Sequence, residues 1–124
     1  MYLAELENRD VSCCYLAHDR QDQAVGFVSF WRILDELHIN NLAVLPGYRR
    51  TGIASALLTH ALAEGVRKGA RRATLEVRRS NEPARCLYER FGFAVKSVRL
   101  GYYTAPVEDA LVLWHDDLAH AAGP

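Results

Sequence analysis

Tyr48-Arg49-Arg50-Thr51-Gly52-Ile53-Ala54 is the stretch that joins an apolar run, ending at Pro46-Gly47, to a long amphipathic segment. A strand that leads through a glycine-containing turn into a helix presents several backbone N–H groups together with the positive end of the helix dipole. Such turns bind phosphate groups. The stretch therefore predicts a strand, a turn and a helix in succession, and a cofactor that carries a pyrophosphate.

Length, composition and charge limit the kind of protein this can be. The chain has 124 residues, 50% of them hydrophobic, and we predict a single domain over residues 1–124. Its 15 basic and 15 acidic residues balance, so we expect no nucleic-acid partner and no attraction to a membrane. Without a membrane-length apolar run or a secretory signal, the sequence predicts a soluble, cytoplasmic protein. Three cysteines without metal-binding spacing predict no metal site.

Hydrophobic periodicity and turn residues divide the chain into strands and helices. β-Branched and aromatic runs predict strands at residues 11–17, 24–31, 37–44, 73–77, 93–100 and 110–115. Apolar residues at helical spacing predict a helix that starts at Thr51 or Gly52 and ends near Gly69. A short second helix is predicted to open at Ser80-Asn81-Glu82-Pro83 and to close at Gly92. The first two and the last two strands each predict a hairpin, the last around a loop at residues 101–109.

Two ordered motifs carry a family resemblance. The stretch from Arg49 to Ala54 resembles the Q/R-x-x-G-x-G/A signature of the GNAT superfamily of acetyl-CoA-dependent N-acetyltransferases, and the segment from Asn81 to Phe93 resembles its second hallmark. The resemblance extends over roughly residues 13–114. Within the superfamily the pattern is most similar to the ribosomal-protein-alanine N-acetyltransferase (RimI) group, through these segments: Asn41-Leu42-Ala43-Val44, Leu75-Glu76-Val77-Arg78, Ser80-Asn81 and Tyr102-Tyr103.

The resemblance implies an α/β (α+β mixed) fold: a splayed, mixed sheet, mostly antiparallel with one central parallel pair, flanked by helices. The strand that ends at Val44 and the strand at residues 75–77 would form that pair and part at their ends. Acetyl-CoA would lie in the opening, its pantetheine arm paired with the backbone of Leu42 and Val44. The implied cofactor-binding residues are Leu42, Ala43, Val44, Arg49, Arg50, Thr51, Gly52, Ile53, Ala54 and Asn81.

Several of these positions have a plainer interpretation. Arg49 and Arg50 suit the phosphates of coenzyme A, but they also suit a solvated turn. Asn81 occupies a position where the family hydrogen-bonds the pantetheine, but it can equally be an N-cap. The resemblance further implies that an N–H near Leu42 or Ala43 stabilises the oxyanion of acyl transfer.

The implied reaction is attack of a neutral amine on a thioester, followed by departure of a thiolate. Glu76 matches the family's general base and Tyr88 its general acid for the thiolate. Without the resemblance, Tyr88 would be a core residue on the apolar face of its helix. Glu76 would be an outward strand residue, with Arg78 as its candidate partner.

The sequence constrains the acceptor less than it constrains the cofactor. A protein N-terminal amine has a pKa of about 7.7–8.0 and a lysine one of about 10.4, so an N-terminal α-amine is the easier acceptor to deprotonate. The acceptor side is assigned to Asp35, Glu36, Tyr102 and Tyr103, with Glu108 and Asp109 beside them. A small-molecule amine, a lysine acceptor and a non-catalytic acyl-CoA-binding module are the alternatives.

The front of the chain departs from the family pattern. Family members begin with a strand and two helices, whereas only about ten residues precede the first predicted hairpin here. We expect those N-terminal elements to be largely absent, with residues 1–7 as a remnant of the second helix. The acceptor groove would then be unusually open or completed by a second subunit, and the uncovered sheet edge would favour a homodimer.

Overall fold

The computed structural model describes residues 2–8 and 12–118, with side chains from residue 13 onward. In these residues it has seven strands, a short 3-10 turn at Pro46–Tyr48 and two α-helices. The elements, in chain order, are β1 (Tyr2–Asn8), β2 (Ser12–His18), β3 (Ala24–Ile33), β4 (Glu36–Val44), α1 (Ile53–Arg67), β5 (Arg72–Arg78), α2 (Glu82–Arg90), β6 (Ala94–Tyr103) and β7 (Glu108–His115). Within the described part, no helix is long and apolar enough to cross a membrane.

The strands form one mixed sheet in the order β1-β2-β3-β4-β5-β7-β6. Every neighbouring pair is antiparallel except β4 and β5, which are parallel. The paired registers of β4 and β5 run from Glu36 opposite Arg72 to Ile39 opposite Leu75. Beyond that point β4 continues to Val44 and β5 to Arg78 without pairing. The fold class is therefore confirmed, including the parallel pair that parts at its ends.

Both helices pack on the sheet through a single apolar core. Helical spacing predicts six apolar residues on one face of α1, and five of them are buried, Ile53, Leu57, Leu58, Ala61 and Leu62, whereas the sixth, Val66, is 40% exposed. A Cβ on Gly26 of β3 would lie 3.0 Å from the Ala43 carbonyl oxygen and 3.3 Å from Ile53. The glycine thus lets the first turn of α1 lie close to β3 and β4. This close approach fixes the start of α1 beside the open end of β4.

The prediction for residues 1–7 is wrong where the structure describes them. Tyr2–Asn8 is a strand, not a helical remnant, and it pairs antiparallel with β2. A helix of so few residues is costly to nucleate, whereas the edge of β2 offers backbone partners along its whole length. β1 covers that edge and is itself the terminal strand of the sheet, so the expected homodimer stays a prediction. Residue 1 lies outside the described residues.

The last hairpin is also tighter than predicted. β6 extends to Tyr103 and β7 begins at Glu108, so Tyr102 and Tyr103 lie on a strand rather than in a loop. The pairing breaks between Arg99 and Tyr103, where Gly101 has a positive φ of 60° and donates its N–H to the Asp109 carboxylate at 2.9 Å. This irregularity turns the end of β6 toward the open end of β5.

Gly92, the predicted end of α2, gives a test of the fold. Its φ is +97°, and a Cβ there would lie 2.7 Å from Nε2 of His115. Gly92→Ala should therefore lower the free energy of unfolding by about 2 kcal/mol. Chemical denaturation measures the effect, with Gly47→Ala as the control because a Cβ at Gly47 meets nothing within 4 Å. Equal stability of the two variants would contradict this account of Gly92.

Candidate active site

The turn before α1 has the geometry of an anion site. Arg50 and Gly52 both have positive φ, 63° and 83°, and Gly52 is the N-cap of α1. No side chain caps the helix and its first turn contains no acidic residue. The first intrahelical bond runs from the Ala56 N–H to the Gly52 carbonyl at 3.0 Å. The N–H groups of residues 53–55 therefore have no intrahelical acceptor and are available to a phosphate.

Two hydrogen bonds hold this turn in place. The Thr51 hydroxyl donates to the Tyr48 carbonyl, and the Tyr48 hydroxyl donates to the Asp19 carboxylate at 2.8 Å. Asp19 also accepts the N–H groups of Gln21 and Gln23 at 2.9 Å each. The hydrogen bond from Gln23, followed by that from Tyr48, lowers the pKa of Asp19. The β2–β3 turn thus anchors the turn before α1.

A cleft of about 910 Å³ lies between this turn, the end of β4 and the start of α2. It brings together the following predicted cofactor-binding residues: Leu42, Ala43, Val44, Arg49, Arg50, Gly52, Ala54 and Asn81. Thr51 and Ile53 do not line it, since the Thr51 hydroxyl points to Tyr48 and the Ile53 side chain is buried in the core. Asn81 has both of its predicted roles open: it lines the cleft and also caps α2 by accepting the Ala84 N–H at 3.3 Å.

The end of β4 borders this cleft, and there its edge is not paired with β5. The Leu45 N–H donates to the Val25 carbonyl of β3 at 2.8 Å. Because backbone groups alternate sides along a strand, those of Ala43 also point to β3, whereas those of Leu42 and Val44 point the other way. On that side the pairing with β5 has ended at Ile39. Leu42 and Val44 therefore offer the donors and acceptors that an extended pantetheine arm needs.

The cleft is positively charged although the chain as a whole is neutral. Arg49, Arg50 and Arg90 line it, and its lining contains no acidic residue within the described part of the chain. Arg90 was not predicted to belong to the site. A helical signal existed, because Pro83, Leu87 and Arg90 are spaced i, i+4 and i+7 and all three line the cleft. Three arginines around one cleft suit a ligand with several phosphates.

A second, smaller pocket of about 200 Å³ lies where β4 and β5 part. Its lining residues are His38, Ile39, Asn40, Thr74, Leu75, Glu76, Tyr102 and Tyr103. Asn40 is the extra residue of a β-bulge, since Ser29 pairs with Asn41 and Phe30 with Ile39. A bulge re-aims the side chains of its strand. The pocket brings three of the predicted site residues together: Glu76, Tyr102 and Tyr103.

Glu76 has a partner that the sequence did not predict. Arg99 of β6 donates to its carboxylate at 3.0 Å, and that ion pair raises the pKa of Arg99. The alternative pairing of Glu76 with Arg78 is wrong. Arg78 instead contacts Glu108 at 3.4 Å and donates to the carbonyls of Thr104 and Pro106 at 3.1 Å each. Arg78 therefore holds the β6–β7 turn, and Glu76 faces the pocket with 32% of its side chain exposed.

Tyr88 lies deeper than Glu76 and lines neither opening, so its catalytic role stays a prediction. It is 7% exposed, belongs to the apolar core, and contacts Phe93 edge-on with 6.0 Å between ring centroids. Burial, with a smaller contribution from Tyr103, raises the pKa of Tyr88 to about 12. The pKa of Tyr103 is itself raised, by burial and then by Glu76. Tyr103 thus lies near both predicted catalytic side chains, Glu76 and Tyr88.

The remaining predicted acceptor residues do not line the pocket. Asp35 and Glu36 are at the closed end of the parallel pair, where Glu36 contacts Arg72 and His38. Asp35 accepts the Arg71 and Arg72 N–H groups through its carbonyl, at 2.7 and 3.2 Å. Glu108 accepts the Ser80 N–H at 2.5 Å. These residues fasten elements together and do not line either opening.

A family model described as "Acetyltransferase (GNAT) family" matches residues 1–93 of the chain. The chain belongs to the GNAT acetyltransferase family. The match includes the turn before α1, the free edge of β4, Glu76 and Tyr88. The sequence resemblance at the motifs is therefore confirmed over most of the chain.

Two curated GNAT relatives are similar to this chain in sequence, and one crystal structure is similar to it in fold. A protein of Bacillus subtilis (strain 168) is 38% identical over 100 residues, which are 81% of this chain and 66% of that protein. The [ribosomal protein bS18]-alanine N-acetyltransferase of Escherichia coli (strain K12) is 42% identical over 83 residues, 65% of this chain and 56% of that protein. The crystal structure of the ribosomal-protein-S18-alanine N-acetyltransferase from Escherichia coli superposes with a TM-score of 0.78 and 33% identity, covering 86% of this chain and 70% of that one. The chain thus spans 56–66% of the length of these two curated relatives.

Gly52 allows a test of the anion site. Its φ of +83° is strained for a β-branched residue, and its missing Cβ leaves open space toward the cleft. Gly52→Val should weaken coenzyme A binding about tenfold, which corresponds to about 1.4 kcal/mol. Isothermal titration calorimetry measures the Kd, with Gly47→Val as the control in the same connection. Wild-type affinity in Gly52→Val would remove the turn from the cofactor site.

Proposed function

We propose that the protein transfers acetyl from acetyl-CoA to a primary amine, an α-amine at a protein N-terminus, by direct attack in a ternary complex. The observation that carries the proposal is the shared strand β4. Leu42 lines the arginine-rich cleft and Asn40 lines the Glu76 pocket, so the two openings adjoin along one free edge. A thioester laid along that edge would present its carbonyl at the pocket.

In this proposal each residue has a chemical task. Glu76 takes the proton from the acceptor amine, directly or through one water. The Leu42 N–H faces the open edge and stabilises the oxyanion as the carbonyl is attacked. Tyr88, with a pKa of about 12, stays protonated at neutral pH and gives its proton to the departing thiolate. Arg49, Arg50 and Arg90 with the N–H groups of the turn hold the phosphates of coenzyme A.

The choice of acceptor rests on the relatives and on amine chemistry. The Escherichia coli relative is named as a [ribosomal protein bS18]-alanine N-acetyltransferase, which supports a protein acceptor. An α-amine of pKa about 7.7–8.0 is partly neutral at physiological pH, whereas a lysine is almost wholly charged. The Glu76 pocket, at about 200 Å³, accommodates the end of a chain.

One short peptide tests the acceptor. It carries an internal lysine and is supplied with its N-terminus either free or blocked, in reactions with acetyl-CoA followed by mass spectrometry. An acetyl mass on the free form alone would support N-terminal transfer. Acetylation of both forms would assign a lysine acceptor. No acetylation of either peptide would overturn the protein acceptor and leave a small amine or an acyl-CoA-binding module.

A further inference from the structure

Arg99 reaches Glu76 across an intervening strand. In the sheet, Glu76 lies opposite Val112 of β7 and Arg99 lies opposite Ala110 of the same strand, so the two charged residues are not on neighbouring strands. The guanidinium nevertheless donates to the Glu76 carboxylate at 3.0 Å and lies 4.8 Å from the centre of the Tyr102 ring. Arg99 therefore contacts two residues that line the pocket, Glu76 and Tyr102.

We infer that Arg99 is a specificity-determining residue that keeps charged amines out of the Glu76 pocket. The inference rests on the proposed function, because it concerns how the acceptor enters. Among the residues described as lining this pocket, Glu76 is the one acidic side chain. With Arg99 bound to it, the carboxylate presents no net charge to an arriving ammonium group.

The consequence follows from the form in which an amine reacts. An ammonium group has no lone pair, so an amine that arrives neutral can attack as bound, whereas one that arrives charged must first give up a proton. At a pH of about 9, an α-amine is about 90% neutral or more, whereas a lysine is still about 95% charged. Arg99 disfavours the charged form and thereby favours α-amines over lysines.

The other charged and titratable groups around Glu76 either pair with other residues or carry no charge. From β4, His38 contacts Glu36 at 3.0 Å. From β5, Arg78 contacts Glu108 at 3.4 Å and lies 4.4 Å from the centre of the Tyr103 ring. From β6, Tyr102 and Tyr103 are phenols that carry no charge while protonated. Arg99 is the cation that contacts the Glu76 carboxylate in the described part of the chain.

Arg99→Gln tests the inference, with Lys96→Gln as the matched control. Lys96 is exposed on the same strand and contacts Asp116 at 3.7 Å, away from the pocket. Two peptides are titrated into the protein saturated with coenzyme A: one with a free N-terminus and no lysine, one with a blocked N-terminus and a lysine. Binding is measured at pH values of about 6.5 and about 9.

At the higher pH, Arg99→Gln should bind the lysine peptide about three to five times more tightly than wild type, and the α-amine peptide unchanged. At the lower pH, where both amines are charged, Arg99→Gln should bind both peptides more tightly than wild type does. The gain should vanish in about 0.5 M salt because the interaction is half-exposed. Lys96→Gln should behave as wild type.

Equal changes for both peptides at the higher pH, no change for either, or a gain that persists in salt would each overturn the inference. Because binding needs no turnover, these results are independent of the transfer reaction. Failure of wild type to bind coenzyme A would instead count against the proposed function. Peptide binding that follows the pattern above without any acetyl transfer would support the role of Arg99 and contradict the catalytic role of the site.

Discussion

Glu76→Gln should lower kcat about 100-fold while the Kd of coenzyme A changes less than about twofold. The substitution keeps the size of the side chain and its position on β5 but removes the base. The cofactor cleft is lined by other residues, so binding there should be preserved. The loss should be greatest at low pH, where more of the acceptor is protonated and the need for a base is largest.

The measurement is a pH profile of steady-state rates for wild type and Glu76→Gln, with Glu89→Gln as the control. Glu89 is an exposed glutamate on α2 that lines neither opening. If Glu76→Gln kept the wild-type profile, Glu76 would be an ordinary strand residue paired with Arg99. A large loss in Glu89→Gln would point to a general effect of lowered negative charge.

The parts of the fold that the sequence predicted well are those encoded by local signals. The cofactor edge depends on the strand that ends at Val44, the turn with Gly52 and the helix that follows, and each has its own pattern of apolar and turn residues. Their order along the chain then fixes the cleft, because a strand, a turn and a helix in succession leave little freedom of arrangement. For this reason most of the predicted cofactor residues line one opening.

The sequence did not predict contacts between elements that are distant along the chain. The pairing of Glu76 with Arg99 requires knowing that β7 inserts between β5 and β6, which no local pattern encodes. Without knowledge of the strand order, Arg78, two residues further along β5, is the nearest basic partner to expect for Glu76. The strand at Tyr2–Asn8 is a similar case, because its leucine, alanine and glutamate residues favour a helix locally, and pairing with the edge of β2 overrides that preference.

Tyr88→Phe should lower kcat about 10- to 100-fold, by a factor that stays constant between pH values of about 6 and 9. A phenol whose pKa is about 12 remains protonated over this range, so its removal subtracts a proton donor equally at every pH. The expected effect is smaller than that of Glu76→Gln, because a raised pKa makes the phenol a weaker acid for a thiolate whose thiol has an ordinary pKa of about 8.5.

The alternative for Tyr88 is a purely structural role, and the same variant separates the two. Phenylalanine keeps the ring and its edge-on contact with Phe93, so the core should remain packed and the thermal midpoint near wild type. Tyr15→Phe is the matched control, since Tyr15 is also a buried core tyrosine, 6% exposed, but its ring packs against Phe30 of β3 and His60 of α1. Equal rates in Tyr88→Phe, Tyr15→Phe and wild type would make Tyr88 a core residue. A loss confined to Tyr88→Phe, without loss of stability, assigns its hydroxyl to the reaction.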